Sequence, residues 1–282
     1  TDGPGESFTD APIAIKDRIV IGQSSGDIGS RGYFIAVKAE DGAEMWRSYV
    51  VPGPGEPGSE TWLDNHSAYK TGGGGLWVTG SYDPESNLTI WGTGNPAPMY
   101  DPEYRPGDNL FTNSSVAIDV DSGKMKWYFQ ATPGDYMDYD DIGTRLLYDV
   151  SINGEMRKVV GHFGRHGFYY TNDRNSGQFL HGAQYVAELN WTEGLDPKTG
   201  LPVGYQPDAQ LQEYRPGGAP RRGGPEVSFC PNIQGGVNQF PTAYDPQRGM
   251  AYGSGIESCS TTKTEAMDET KDYRGQLFIG GG

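Results

Sequence analysis

Asp138 and Asp140 stand two residues apart in the run TPGDYMDYDD, residues 132–141. In an extended loop the side chains at i and i+2 share a face, so both carboxylates can look at one cation. The alternative is that Asp140 and Asp141 are solvated loop acids. A second stretch with chemistry in it runs from Gly72 to Pro98, GGGGLWVTGSYDPESNLTIWGTGNPAP, where four glycines precede Leu76 and Trp77. Glycines bring no side-chain packing, so four of them beside one Trp imply that something flat approaches the backbone closely. The bland alternative is a core Trp beside a glycine-rich loop.

The elements that must position these residues are short strands. Ile13-Ala14-Ile15 and Arg18 to Gly22 read as two strands around a Lys16-Asp17 turn, and Tyr33 to Val37 as a third that turns at Ala39–Gly42 into a strand containing Trp46. Val78 to Tyr82 and Leu88 to Trp91 read as a hairpin around Asp83-Pro84-Glu85-Ser86-Asn87. The same grammar recurs at Ser115–Trp127, and in degraded form at Phe168–Leu180. Such self-similarity predicts a repeat architecture, and short strands with a Gly-x-x-x-Trp turn predict β-propeller blades of four strands each. The repeats are unevenly spaced because Pro/Gly-rich loops intervene near 51–71 and 100–109, with a third insertion over 190–227 that lacks any periodic apolar pattern. About four blades' worth of strands is too few for most closed propellers, so the expectation is one domain over 1–282 that forms about half of a larger ring.

Composition agrees. Gly 43 and Pro 20 make up over a fifth of the 282 residues and punctuate the chain too often for long helices. A mean hydropathy of -0.64 without a long apolar run argues against a membrane-spanning segment. The net charge of -15 argues against nucleic acid as a partner, since no basic face can be assembled from 22 Lys and Arg spread among 37 Asp and Glu. Cys230 and Cys259, without neighbours at metal-binding spacing, are either a structural disulfide, which would imply an oxidising compartment, or two free thiols.

The turn A-x-D-x-x-(S/T)-G-K-x-x-W at Ala117–Trp127, with GGGGLW, YDPESNL, GTGNPAP, RPGDNLF, TPGDYMDYD and LDPKTG in collinear order over nearly the whole chain, resembles the pyrroloquinoline quinone (PQQ) dependent alcohol dehydrogenases of the methanol and ethanol dehydrogenase type. That family is an eight-bladed propeller with the quinone and a metal ion on its axis. The resemblance implies PQQ with Ca2+ or a lanthanide ion as cofactors. It makes Trp77 of GGGGLW the stacking floor under the quinone, a role suited to an indole face. Asn95 of GTGNPAP becomes a metal ligand through its amide oxygen. QSSGDIGSRGY places Asp27 where the family carries a Glu ligand, one methylene shorter, and Ser24 and Thr9 where hydroxyls bond the cofactor carboxylates.

By the same resemblance TPGDYMDYD puts the general base and a metal ligand at Asp138, and a further metal ligand at Asp140, as in the lanthanide-using members. GHFGRHGFYY supplies Arg165 to the quinone carbonyls, where a permanent cation would stabilise growing negative charge. CPNIQGGVN implies a Cys230–Cys259 disulfide and a cofactor contact from Asn238. The implied reaction is oxidation of an alcohol to an aldehyde or ketone by metal-assisted hydride transfer to the quinone, Asp138 taking the hydroxyl proton and a neighbouring cation keeping it ionised. The implied setting is the periplasm or the outside of the cell, with an alcohol as substrate, a cytochrome c as electron acceptor, and a homodimer among the assemblies open to it. A non-catalytic propeller scaffold with the same Trp-docked blades is the rival reading; it gives no reason for the polar set Asn95, Asp138, Arg165 and Asn238.

Overall fold

The computed structural model describes residues 3–282. It is all-β. Among the described residues, sixteen strands form three four-stranded antiparallel sheets in simple sequential order, followed by two strand pairs. The first sheet is β1 (Ile13–Ile15), β2 (Arg18–Gly22), β3 (Tyr33–Lys38) and β4 (Glu44–Tyr49); the second is β5 (Ser81–Asp83), β6 (Leu88–Gly92), β7 (Ser114–Asp119) and β8 (Met125–Gln130). The third is β9 (Leu146–Ile152), β10 (Glu155–Phe163), β11 (Phe168–Asp173) and β12 (Phe179–Gln184). Then β13 (Val227–Phe229) pairs with β16 (Ser260–Thr262), and β14 (Ala243–Asp245) with β15 (Met250–Tyr252). The three sheets are the expected blades.

The repeated turn explains itself locally. In each copy an Asp side chain accepts hydrogen bonds from the loop ahead, and a glycine in the left-handed region closes it. Asp119 Oδ1 takes the Ser122 N–H at 2.9 Å, Asp173 Oδ1 the Ser176 N–H at 2.9 Å, and Asp196 Oδ1 the Thr199 N–H at 2.8 Å. A fourth copy, Asp245–Gly249, joins β14 to β15 and carries the same contacts, although its sequence lacks the Ser or Thr. The first three of these turns are also the seats of aromatic side chains from the sheet before them. Trp46 donates its indole N–H to Val120 O at 2.9 Å and lies on Gly123, where a Cβ would stand 2.6 Å from the ring. Trp127 does the same on Arg174 O and Gly177, and Phe179 lies on Gly200.

Apolar residues of successive sheets fuse into shared cores. Val20, Phe34, Leu76, Trp91, Val116 and Ile118 pack between the first and second sheets, and Leu88, Ile90, Trp127 and Val160 between the second and third. The stretches 51–71 and 100–109 carry short 3-10 turns at Ser59–Thr61, Ala68–Thr71 and Pro102–Tyr104, and 190–227 holds the isolated bridge Leu195↔Pro202.

Two local expectations are corrected. The hairpin strand expected from Val78 starts at Ser81, because 74–80 runs as an irregular segment. The four glycines of 72–75 are not open to a flat ligand. All four are buried, and what approaches them is the chain itself: a Cβ on Gly73 would stand 2.6 Å from Asn95 O, and one on Gly75 2.9 Å from both Gly26 N and Ser24 O.

Candidate active site

Four segments converge on one cluster of polar side chains. The loop after β2 brings Asp27, the irregular run before β5 brings Trp77, the end of β6 brings Asn95, and the loop between β8 and β9 brings Asp138 and Asp140. The turn after β10 adds Arg165. Asn95, Asp140 and Arg165 are buried, Trp77 and Asp138 half-buried.

Asp140 is the hub. Its Oδ2 accepts the Trp77 indole N–H at 2.7 Å and Arg165 Nη1 at 2.7 Å, while Oδ1 accepts the backbone N–H of Asn95. Arg165 also lies 3.6 Å from Asp138 Oδ2, donates to Ile233 O, and holds its Cζ 6.0 Å from the Trp77 ring centroid. The two acids do meet at one point, but not through an extended loop. Asp138 has φ 65, a conformation uncommon for a residue with a Cβ, and the chain turns there so that both carboxylates reach the same guanidinium. The solvated-loop alternative fails for Asp140 and Asp141, since both are buried.

The electrostatics are those of crowded anions. Asp27 is exposed as a residue, yet desolvation of its carboxyl pushes it up to about 6, with Asp140 adding to the shift and Arg165 and a hydrogen bond from Asn95 opposing it. Burial likewise holds Asp138 well above the usual carboxylate range, against the pull of Arg165 and with Asp140 and Asp27 adding to it. In the protein alone, then, the pull of Arg165 does not offset the effect of burial on Asp138.

The remaining expected residues frame this cluster. Thr9 and Ser24 form a pair of their own, the Thr9 N–H donating to Ser24 Oγ at 2.8 Å, and the Ser24 backbone lies against Gly75 near Trp77. Asn238 follows the stretch Ile233–Gly236 that grips Arg165, where Gly236 N donates to Arg165 O at 2.8 Å. Asn238 Oδ1 and Arg165 Nε are both buried without a hydrogen-bond partner. Cys230 and Cys259 are joined in a disulfide.

Two carboxylates outside the expected set fix the acidic loop. Asp135 accepts the N–H groups of Met137 and Tyr139, both at 3.1 Å, and so sets the turn that carries Asp138. Asp141 points the other way from Asp140, into a pocket of His162, His166, Arg145 and Ser115. The TPGD turn signalled the first; nothing local pointed to the second, because its partners are distant in sequence.

Comparison with known proteins places these features in context. The model of the PQQ glucose/ethanol/alcohol dehydrogenase β-propeller domain matches residues 3–187. The chain is 36% identical over 258 residues to the quinohemoprotein alcohol dehydrogenase ADH-IIG of Pseudomonas putida, covering 87% of this chain and 34% of that one. It is 32% identical over 297 residues to the quinoprotein alcohol dehydrogenase PedH of Pseudomonas putida, covering 99% of this chain and 47% of the relative. Among solved structures, a europium-containing methanol dehydrogenase superposes with a TM-score of 0.87 at 30% identity, over 99% of this chain and 49% of that chain. The chain thus spans between about a third and a half of the length of these relatives.

Proposed function

Because the chain belongs to the PQQ-dependent glucose/ethanol/alcohol dehydrogenase β-propeller family, we propose that it forms part of a quinoprotein alcohol dehydrogenase that oxidises an alcohol to an aldehyde or ketone. The observation that carries this reading is the convergence of Asp27, Asp138 and Asp140 with Asn95 around Arg165, two of the three carboxyls being driven upward in the protein alone. Three carboxylates and an amide make a hard, oxygen-rich donor set suited to Ca2+ or a lanthanide ion, whose charge would relieve their mutual repulsion. The buried, unpartnered Arg165 Nε and Asn238 Oδ1 offer a donor and an acceptor to a polar ligand beside the half-buried Trp77 indole, which fits PQQ.

In this reading Asp27, Asn95, Asp138 and Asp140 hold the cation, and Trp77, Arg165, Asn238, Ser24 and Thr9 face the quinone. When bound, PQQ and its cation supply a two-electron acceptor polarised by a Lewis acid. The chain's own residues do the rest. Asp138 takes the proton of the substrate hydroxyl on its carboxylate, and it can do so only while ionised. Arg165 provides fixed positive charge, and Trp77 and Arg165 together fix where the Asp140 carboxylate stands.

A cytochrome c is proposed as the electron acceptor and the periplasm or cell exterior as the location, the disulfide being suited to an oxidising compartment. Among the described residues no helix is long and apolar enough to cross a membrane. The test is reconstitution of the full-length protein with PQQ and either Ca2+ or La3+, assayed on a panel of alcohols. Asp138→Asn should lose turnover while still taking up PQQ by absorbance. Wild-type turnover in that variant would remove Asp138 from its role, and failure of the wild type to take up PQQ would favour the non-catalytic scaffold.

A further inference from the structure

Behind the site lies a buried group that the reaction does not use: Asp141, His162, His166, Arg145 and Ser115, all less than 3% exposed. Three of them, Asp141, His162 and His166, present ligand atoms within 4.8 Å of one another and so look like a second metal centre. Their hydrogens argue otherwise. His166 Nδ1 accepts the Phe168 N–H at 3.3 Å, so its Nε2 carries the proton and points at Asp141 Oδ1, 3.5 Å away. His162 Nε2 lies 2.7 Å from the same oxygen, as a donor to a carboxylate must. The other oxygen, Oδ2, takes Arg145 Nη2 at 2.8 Å and the Ser115 hydroxyl at 3.3 Å. Neither imidazole turns a lone pair toward a cation between them, and Arg145 already supplies the positive charge.

Three hydrogen-bond donors on one carboxylate, His162, Arg145 and Ser115, with the His166 ring beside them at 3.5 Å, make an anchor. The Asp141 backbone is tied as well: its N–H donates to Thr93 O at 3.1 Å, and its carbonyl accepts from Arg145. One residue earlier, Asp140 receives the Asn95 N–H, two residues on from Thr93. The acidic loop is therefore stitched to the end of β6 at 93 and 95, and the side chains of 140 and 141 are driven to opposite sides of the stitch.

We infer that Asp141, gripped by His162, Arg145 and Ser115, is a positioning residue that sets the direction of the Asp140 carboxylate and thereby the cation affinity of the site. This rests on the functional reading above. The anchor reaches the site through the backbone of 140–141, as outer-sphere partners of metal ligands commonly do.

The test is calorimetric titration of La3+ into the full-length, PQQ-loaded protein, alongside its melting temperature without La3+. His162→Leu should bind La3+ about 10-fold more weakly, and His162→Gln, which keeps an N–H near the place of Nε2, should recover most of the loss. If His162→Leu does not fold, Ser115→Ala carries the test, with a smaller weakening expected. Wild-type La3+ affinity in the folded variant, with only the melting temperature lowered, overturns the inference and leaves the anchor merely structural. A wild-type protein that binds neither La3+ nor Ca2+ overturns the functional reading, and this inference with it.

Discussion

The Trp77 indole N–H donates to Asp140 Oδ2 at 2.7 Å, which ties the residue read as the floor of a cofactor site to a residue read as a metal ligand. Trp77 is thus not only a flat surface. A charge-assisted bond of this kind contributes roughly 1.5–3 kcal/mol when its acceptor is buried, and Asp140 is 4% exposed.

Trp77→Phe keeps an aromatic face and deletes that bond, whereas Trp77→Ala deletes both. If the two roles are separate, Trp77→Phe should weaken cation binding by about 10-fold or more, the loss of one such bond, while retaining PQQ. Trp77→Ala should lose PQQ as well. Calorimetry for the cation and absorbance for the quinone distinguish the two; identical losses in both variants would show that the indole N–H does nothing.

His162 gives the protein an acid-sensitive element. Burial first, and then Arg145, pushes its imidazole down to about 4 from an ordinary value of 6.5. The folded value lies below the unfolded one, so this stabilisation is complete above about pH 6.5 and is lost as pH falls toward 4, up to roughly 3 kcal/mol. Asp10, raised to about 6 chiefly by burial, acts in the opposite sense, favouring the folded state below about pH 4 and losing that contribution as pH rises through 6. The comparison must therefore be internal. Urea unfolding of wild type and His162→Gln at pH 7 and pH 4.5 should show a smaller loss in the variant, and equal losses would rule out a neutral buried His162.

Gly92 ends β6 directly beneath the acidic loop, where a Cβ would stand 1.9 Å from Asp141 O and 2.7 Å from both Arg145 Nη2 and Ile142 Cα. Two of those atoms are backbone and cannot swing aside. Gly92→Ala should destabilise the fold by roughly 1–3 kcal/mol through overpacking, read as a lower midpoint in urea. An unchanged midpoint would mean that the loop is not held there.

The Cys230–Cys259 bridge closes a loop with a sequence separation of 29. Replacing both cysteines by Ser should cost roughly 3 kcal/mol, in the chain-entropy account. Because the 233–236 stretch grips Arg165, the loss should extend to PQQ retention. Chemical unfolding and PQQ absorbance of the double variant test both.

Much of the fold was legible because it is written locally. The Asp119–Gly123 turn needs only an acceptor at its start and a left-handed glycine at its end, and both are visible in sequence. What the turn receives is not visible: Trp46 belongs by sequence to one repeat and packs on the glycine of the next. The glycines of 72–75 misled for a related reason, since a close approach by the chain's own Ser24, Gly26 and Asn95 looks in sequence like room for a ligand. At the site, the acids of 138–141 were recognisable as a group, but their division of labour was not. Asp140 and Asp141 are neighbours of identical type, and only partners at 77, 165, 145 and 162 tell them apart.

The aromatic seats run in one direction. Trp46 goes forward to Gly123 and Trp127 to Gly177, so the first and second sheets each fill a place on their successor, while Phe179 of the third seats on Gly200 in the 190–227 stretch. Sheets coupled in series this way behave as a chain of nearest neighbours rather than as independent units. Melting one sheet empties the seat beneath the aromatic before it and withdraws the plug from the turn after it. The three sheets should accordingly melt in a single cooperative transition, and the proposed cation site should vanish with it rather than survive in a partly unfolded protein.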